Sequence, residues 1–205
     1  DISGDAAEVI DATDKLVIPG LLDVHSHYAR DAQGPRMCLS DGVTGWVDAG
    51  SEGAEQIDDM VAIARTAPQP ARVLINIGRE GILPDGDTHD LALADVEAAK
   101  AAVARNRDYV IGVKARLTEG VAADDIEVLR RAQEVATFFD LPLMIHMGQT
   151  ASPFSVLVDQ LKPGDIVTHM LAPPPNAIID DDGLIFPAVL AARRRGVWFD
   201  VANGR

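Results

Sequence analysis

The stretch that decides the fold is residues 19–28, PGLLDVHSHY, in which an apolar run leads directly into His25-Ser26-His27. If this run is a β-strand, its side chains alternate between two faces, so His25 and His27 point in the same direction. Two imidazoles side by side at the end of a buried strand form half of a metal site. An isolated H-x-H pair is also common in strand-to-loop turns, and the pair alone leaves both interpretations open.

The composition indicates a globular protein. Of the 205 residues, 47% are hydrophobic and 24% are charged, and the length fits one large domain or one and a half ordinary ones. The net charge of −14 disfavours nucleic acid and anionic membranes as partners, because both carry negative charge. No apolar run approaches the roughly 20 residues that cross a bilayer. A single cysteine, Cys38, and no recognisable signal peptide favour a cytoplasmic location.

Short apolar strands alternate with helical patterns along the chain. The predicted strands are residues 21–27, 44–48, 71–78, 109–116, 141–148, 165–171 and 197–201. The predicted helices are residues 54–66, 95–106, 123–139, 153–161 and 184–195. Because each helix returns the chain to the same end of the sheet, the pattern predicts parallel strands. Polar residues end several strands and no glycine-rich phosphate loop follows the first, which favours a (β/α)₈ barrel over an open nucleotide-binding sheet.

Four of the five histidines fall in predicted strands, each after an apolar run. They are His25, His27, His146 and His169. A single histidine in such a place is more often a hydrogen-bonded core residue than a ligand. Four at the same level of a sheet favour a metal site, because imidazole is the commonest ligand for zinc-like ions. The fifth, His89, lies in a polar loop and is predicted to be a surface residue.

A lysine is predicted inside the barrel. In residues 109–116, YVIGVKAR, alternation places Ile111, Val113 and Ala115 against the helices, and therefore Lys114 and Arg116 on the interior face. A buried unpaired ammonium is costly and tends to lose its proton. Three outcomes remain open: a partner carboxylate such as Asp48 or Asp200, escape to solvent at the strand end, or reaction of the neutral amine with CO₂ to form an anionic carbamate.

Taken together, these motifs resemble the amidohydrolase superfamily, and within it an amidohydrolase/deacetylase branch related to dihydroorotases. The resemblance rests on PGLLDVHSH, on VDAGS at residues 47–51, on GVKAR at residues 112–116 and on GDIVTH at residues 164–169. It covers essentially the whole chain. The ordered set of motifs is specific, whereas H-x-H alone is weak.

The resemblance implies a metal-dependent hydrolase that cleaves an amide-type C–N bond of a small-molecule substrate, through a hydroxide shared by two divalent ions. Zinc is the expected metal. One ion would be held by His25 and His27 and the other by His146 and His169, with carbamylated Lys114 as the bridge. Arg116 is a candidate for binding a substrate carboxylate, since its planar fork matches one, and a structural ion pair is equally open.

The resemblance also predicts the domain organisation. Residues 1–18 would be the end of a small β-sandwich, and residues 19–205 an incomplete barrel of strands one to seven. Family members carry a catalytic aspartate after the eighth strand, so we expect it beyond Arg205; Asp200 belongs to strand seven. A further segment, a second chain or a homo-oligomer would complete the barrel. Residues 202–204, Ala-Asn-Gly, differ from the G-H-G of many relatives.

Two alternative functions remain open on the sequence. One is a non-catalytic metal-binding pseudo-enzyme that keeps the barrel and serves in assembly. The other is a single-metal deaminase in which Lys114 is only structural. The substrate is not identified, because specificity in barrels is determined by the loops after the strands.

Overall fold

The computed structural model describes residues 4–146, 148–171, 178–180 and 182–202, and its centre is one parallel sheet. Seven strands pair in chain order. They are β1 (Leu21–Ser26), β2 (Val43–Asp48), β3 (Ala71–Asn76), β4 (Val110–Arg116), β5 (Leu143–His146), β6 (Ile166–Thr168) and β7 (Trp198–Asp200). The helices are α1 (Gly34–Ser40), α2 (Ile57–Thr66), α3 (Val96–Arg105), α4 (Asp125–Phe139), α5 (Phe154–Val158) and α6 (Pro187–Arg195).

The sheet curls into an incomplete barrel, which confirms the predicted fold class. The register pairs Arg116 with His146, His146 with Thr168, and Thr168 with Asp200, so the carboxyl ends of β4 to β7 lie at one level. The curl brings the two ends of the sheet together, because Nδ1 of His25 at the end of β1 lies 3.0 Å from Oδ2 of Asp200. Polar side chains of the first and last strands therefore meet at the carboxyl end.

Two apolar cores lie on opposite sides of the sheet. The larger one packs the sheet against the helices and includes Val113 and Ala115, as predicted. The smaller one, on the concave side, consists of Ala49, Leu74 and Met144. The prediction for Ile111 was wrong: it packs against this inner cluster. The β3–β4 register shifts at this point, as in a β-bulge, and the alternation of faces changes with it.

Most predicted strands were longer than the observed ones, because the chain leaves the sheet where it carries polar side chains. His27 follows β1 and His169 follows β6, where its φ of +67° breaks the extended conformation. Met147, inside the predicted fifth strand, lies outside the described residues, as does most of the loop at residues 172–183. Helix α1 was not predicted; Pro35 in its first turn suits a helix start.

Residues 4–20 contain no strand in the structure, and their large apolar side chains are mostly exposed, as for Val9 and Leu16. The prediction that residues 1–18 belong to a small β-sandwich stays a prediction, and residues 1–3 lie outside the described chain. None of the helices described here is long and apolar enough to cross a membrane.

Candidate metal centre

All six residues predicted for the site line one cavity at the carboxyl end of the sheet. The cavity has a volume of about 210 Å³. Its lining consists of His25, His27, Ile82, Lys114, Arg116, His146 and His169. Side chains that are far apart in the sequence meet here because parallel strands place their carboxyl ends at the same edge. The fifth histidine, His89, is exposed and lies outside this lining, as predicted.

The four imidazoles form a contiguous group. The ring centroids of His146 and His169 are 4.5 Å apart, and those of His169 and His25 are 5.0 Å apart. The rings of His25 and His27 are 5.8 Å apart and nearly perpendicular. The left-handed backbone of His169 is unusual for a residue other than glycine, and such strain is typical of functional sites.

Hydrogen bonds through Nδ1 orient three of the rings. His25 Nδ1 contacts Asp200 Oδ2 at 3.0 Å and Thr168 Oγ1 at 2.8 Å. His169 Nδ1 donates to the carbonyl oxygen of Ala202 at 3.2 Å. His27 Nδ1 contacts Ser51 Oγ at 2.6 Å. Because these bonds occupy Nδ1, Nε2 is the nitrogen left to act as a ligand in each ring.

The Lys114 amine is buried on the concave side, as predicted. The residue is 3% exposed, and the hydrogen-bond partner of its Nζ among the described residues is the thioether sulfur of Met144 at 3.4 Å. Burial, and next the charge of Arg116, lower the pKa of this amine from 10.5 to about 7. The two carboxylates proposed as partners, Asp48 and Asp200, hydrogen-bond elsewhere.

Three histidines of the cavity, His27, His146 and His169, are held neutral at neutral pH. Burial, and next the charge of Lys114, lower the pKa of His27 to about 4 and that of His146 to about 2. Burial also lowers the pKa of His169. Metal binding requires neutral imidazoles, so this environment suits ligands.

Arg116 forms the ion pair that was one of its two predicted roles. Its Nη1 lies 2.8 Å from Oδ1 of Asp87, whose carboxylate is fully buried. The same carboxylate accepts hydrogen bonds from Asn76 Nδ2 at 2.9 Å and from the backbone N–H of Leu83 at 3.2 Å. Sequence reasoning missed Asp87, because one aspartate in a polar loop carries no signal by itself. Arg116 also lines the cavity, so a substrate-binding role stays a prediction.

Comparison with known proteins points to one superfamily. No family model matches the chain. The chain is 28% identical, over 99% of its length, to a deacetylase of Enterococcus faecalis. A solved structure described as an adenine deaminase superposes with a TM-score of 0.87 and 29% identity, again over 99% of this chain. These similarities support a member of the amidohydrolase superfamily.

The chain spans only part of the relatives that it matches. It covers 58% of the length of the Enterococcus deacetylase and 50% of that of a deacetylase from Agrobacterium fabrum, with which it shares 23% identity. A solved dihydroorotase structure shares the fold, with a TM-score of 0.76 at 23% identity over 51% of its own chain.

The donor set of this cavity fits divalent metals but lacks one component. Among the described residues, no three histidine, cysteine, aspartate or glutamate side chains are placed to hold a metal ion as they stand. Neutral imidazoles nevertheless gather around a buried amine whose partner is a thioether. An anionic oxygen ligand at the position of that amine would complete a set typical of zinc-like ions.

Proposed function

We propose that this amidohydrolase is a metal-dependent hydrolase that cleaves an amide-type C–N bond in a small molecule, such as an N-acyl group or a cyclic amide. One observation carries the proposal: four imidazoles and a buried lysine amine line one cavity at the carboxyl ends of parallel strands. Similarity to proteins named deacetylase and dihydroorotase supports the class of bond. The activity of the whole protein is part of the proposal, because the chain spans 58% and 50% of the length of these two deacetylases.

Five side chains would hold two divalent ions, with zinc as the expected metal. His25 and His27 would bind one ion, His146 and His169 the other, and a carbamate on Lys114 would bridge them. When bound, such ions supply Lewis acidity and lower the pKa of water at the site from 15.7 towards about 7. A neutral imidazole keeps one ring-nitrogen lone pair available for such an ion.

Carbamylation of Lys114 is supported by its environment. The reaction joins the neutral amine nitrogen to the carbon of CO₂ and releases one proton from nitrogen. An amine with a pKa of about 7 has a substantial neutral fraction at neutral pH, whereas an ordinary lysine has almost none. The product exchanges a buried unpaired cation for an anion that two metal ions would neutralise.

Arg116 is the proposed contact for a substrate carboxylate. Its bond to Asp87 fixes one nitrogen of the guanidinium group, and the residue lines the cavity beside Lys114. The remaining N–H groups present the planar fork that recognises carboxylates. We assign proton transfer to the leaving nitrogen to an aspartate outside these 205 residues, and a typical contribution of such a group is about 10²- to 10⁴-fold in rate.

Deamination is the second candidate function. It is favoured by the similarity to the structure described as an adenine deaminase, which matches 99% of this chain. It also cleaves a C–N bond, but at a ring carbon, and the single-metal form of this hypothesis leaves Lys114 structural.

Metal analysis and intact-mass measurement of the protein as isolated test the proposal. We expect two metal ions per chain and a mass gain of one CO₂ that maps to Lys114. Lys114→Ala should lose metal and activity together if the lysine bridges, whereas unchanged metal content would favour the single-metal deaminase. Assays with N-acetyl amino acids, a cyclic amide and adenine separate the two functions. A protein that retains no metal in any state and hydrolyses none of these substrates would contradict both.

A further inference from the structure

A buried serine and aspartate lie directly behind His27. Ser51 Oγ is 2.6 Å from His27 Nδ1 and 3.0 Å from Asp48 Oδ2. Both residues are fully buried, with relative exposures of 0%. The Asp48 carboxylate also accepts the backbone N–H of Ser51 at 2.9 Å and that of Ala29 at 3.2 Å. Asp48, Ser51 and His27 therefore form one chain of hydrogen bonds that ends at the cavity.

The donors in this chain of hydrogen bonds all point the same way, from His27 to Ser51 and from Ser51 to Asp48. A carboxylate only accepts hydrogen bonds, so the Ser51 hydroxyl proton is directed to Asp48. The serine oxygen then meets His27 as an acceptor, and the imidazole must donate its Nδ1–H. In a neutral ring this leaves the lone pair on Nε2. The tautomer of His27 is thus set by a residue that does not itself line the cavity.

We propose that Ser51 and Asp48 are positioning residues that fix the tautomer and ring orientation of His27 for binding a divalent metal ion. The proposal rests on the proposed function only in so far as His27 is a ligand. Ligating histidines are generally oriented in this way by an outer hydrogen-bond partner, and loss of that partner typically weakens metal binding 10- to 100-fold.

The local sequence explains why these two residues can do this. Asp48 ends β2 and Ser51 follows it by three residues, so the carboxylate caps the turn through the Ser51 N–H. Gly50 permits the turn, because its φ is +84° and an added Cβ would lie 2.3 Å from Lys114 Cβ. The turn is therefore locked between β1 and β4, and Ser51 has little freedom to move away from His27.

Two variants test the direction of the bonds. Ser51→Ala removes the acceptor from Nδ1, and we expect zinc affinity to fall about 10- to 100-fold in a chelator competition. Asp48→Asn can donate an amide N–H to Ser51, which would turn the serine proton towards His27 and shift the ring to the Nε2–H form. The ¹⁵N shifts of the metal-free imidazole report this tautomer directly and require neither bound metal nor activity.

A control variant separates this role from the loss of a serine–aspartate hydrogen bond elsewhere in the fold. Ser152 donates both its backbone N–H and its hydroxyl to Asp125, each at 2.7 Å, without contact to a histidine. We expect Ser152→Ala to leave zinc affinity and the His27 tautomer unchanged. Ser51→Thr keeps the hydroxyl and should restore most of the affinity that Ser51→Ala loses.

Several outcomes would overturn the proposal. An Nε2–H tautomer of His27 in the unaltered metal-free protein would contradict it without any variant, even if a variant failed to fold. Equal loss of zinc affinity in Ser51→Ala and Ser152→Ala would also contradict it. A protein that binds no zinc, yet holds His27 in the Nδ1–H form that Asp48→Asn inverts, would refute the proposed function and leave the orienting role of Ser51 and Asp48 intact.

Discussion

At Lys114 the chain buries an amine whose hydrogen-bond partner is a thioether sulfur. A hydrophobic residue would fill the same space without the cost of desolvating a charge. Side chains that weaken folding in this way are found at functional sites, where stability is exchanged for chemistry. Replacing this residue therefore measures most directly how much folding stability the protein loses by keeping the site.

The first prediction concerns the stability of Lys114→Met in chelator and CO₂-free buffer. The folded protein lowers the pKa of this amine from 10.5 to about 7. Between these values the unfolded chain binds a proton that the folded chain lacks, so stability increases with pH across this window. At about pH 6 both states are protonated and the folded state carries the full cost. We expect Lys114→Met to raise the free energy of unfolding there by about 2–5 kcal/mol, a gain that shrinks towards about pH 10.

Urea unfolding of both proteins at the two pH values checks this prediction. A variant with lower stability than the original protein at about pH 6 would show that the amine has a compensating partner in the folded state.

The second prediction separates backbone strain from crowding at Gly50. Its φ is +84°, and an added Cβ would lie 2.3 Å from Lys114 Cβ. Gly42 has nearly the same φ, +87°, but no atom within 4 Å of an added Cβ. We expect Gly42→Ala to cost about 1–2 kcal/mol from the left-handed backbone alone. Gly50→Ala should cost about 1–3 kcal/mol more from overpacking. Equal losses of stability for the two variants in thermal or urea unfolding would show that the Lys114 side chain moves aside without an energetic penalty.

The site residues differed in how readily the sequence revealed them. Histidine and lysine are rare at the ends of buried strands, so His25, His146 and Lys114 could be found from position alone. Ser51 and Asp87 could not, because hydroxyls and carboxylates are common in loops. Their importance comes from contacts with strands that are distant in the sequence, and such contacts carry no local pattern.

At the scale of elements, strand order and helix order could be predicted, and strand ends could not. Apolar runs fix where a strand lies, but pairing ends where the backbone turns to present a side chain, as at His169. The face of Ile111 was missed for a similar reason, since the irregular register between β3 and β4 depends on both strands. The short helix α1 follows a proline signal within a stretch otherwise typical of a loop.

The third prediction concerns the loop between β3 and α3, which is fastened to β3 and β4 through Asp87. This carboxylate is fully buried and accepts bonds from Arg116, Asn76 and Leu83. Asp87→Ala leaves the half-buried guanidinium of Arg116 without its anion and the buried Asn76 amide without an acceptor, and such a loss typically costs about 1–3 kcal/mol. We expect a loss of this size in urea unfolding.

Asp85 provides the control, because it lies in the same loop and is exposed. Asp85→Ala should change stability by less than about 0.5 kcal/mol. If the two variants behaved alike, the bonds to Asp87 would not hold the loop.

At the scale of the whole molecule, the sheet is well buried in its middle and more exposed at its two ends. Val73, Val110, Val113 and Leu143, in the central strands β3 to β5, are fully buried, whereas Leu22 of β1 is 65% exposed and Trp198 of β7 is 64% exposed. Among the described residues, β1 and β7 each pair with one neighbouring strand. The two ends contact each other through side chains. The Asp200 carboxylate accepts hydrogen bonds from Thr168 and from His25.

The last prediction is that Asp200→Ala loosens both ends of the sheet and leaves its middle unchanged. Burial raises the pKa of this carboxylate, but its hydrogen bonds to His25 and Thr168 outweigh that effect. They hold the pKa at about 2, so the group is charged at neutral pH. Loss of these bonds should lower the free energy of local opening by about 1–2 kcal/mol. This corresponds to a roughly 5- to 30-fold increase in the rate of amide exchange. The increase should be confined to β1, β6 and β7 and be visible by hydrogen exchange with mass spectrometry. Asp159→Ala, which removes only an exposed 3.5 Å pair with Arg195, should show no such change. Faster exchange in β3 to β5 as well would mean that the contact between the first and last strands supports the entire barrel wall, and unchanged exchange everywhere would mean that it supports none of it.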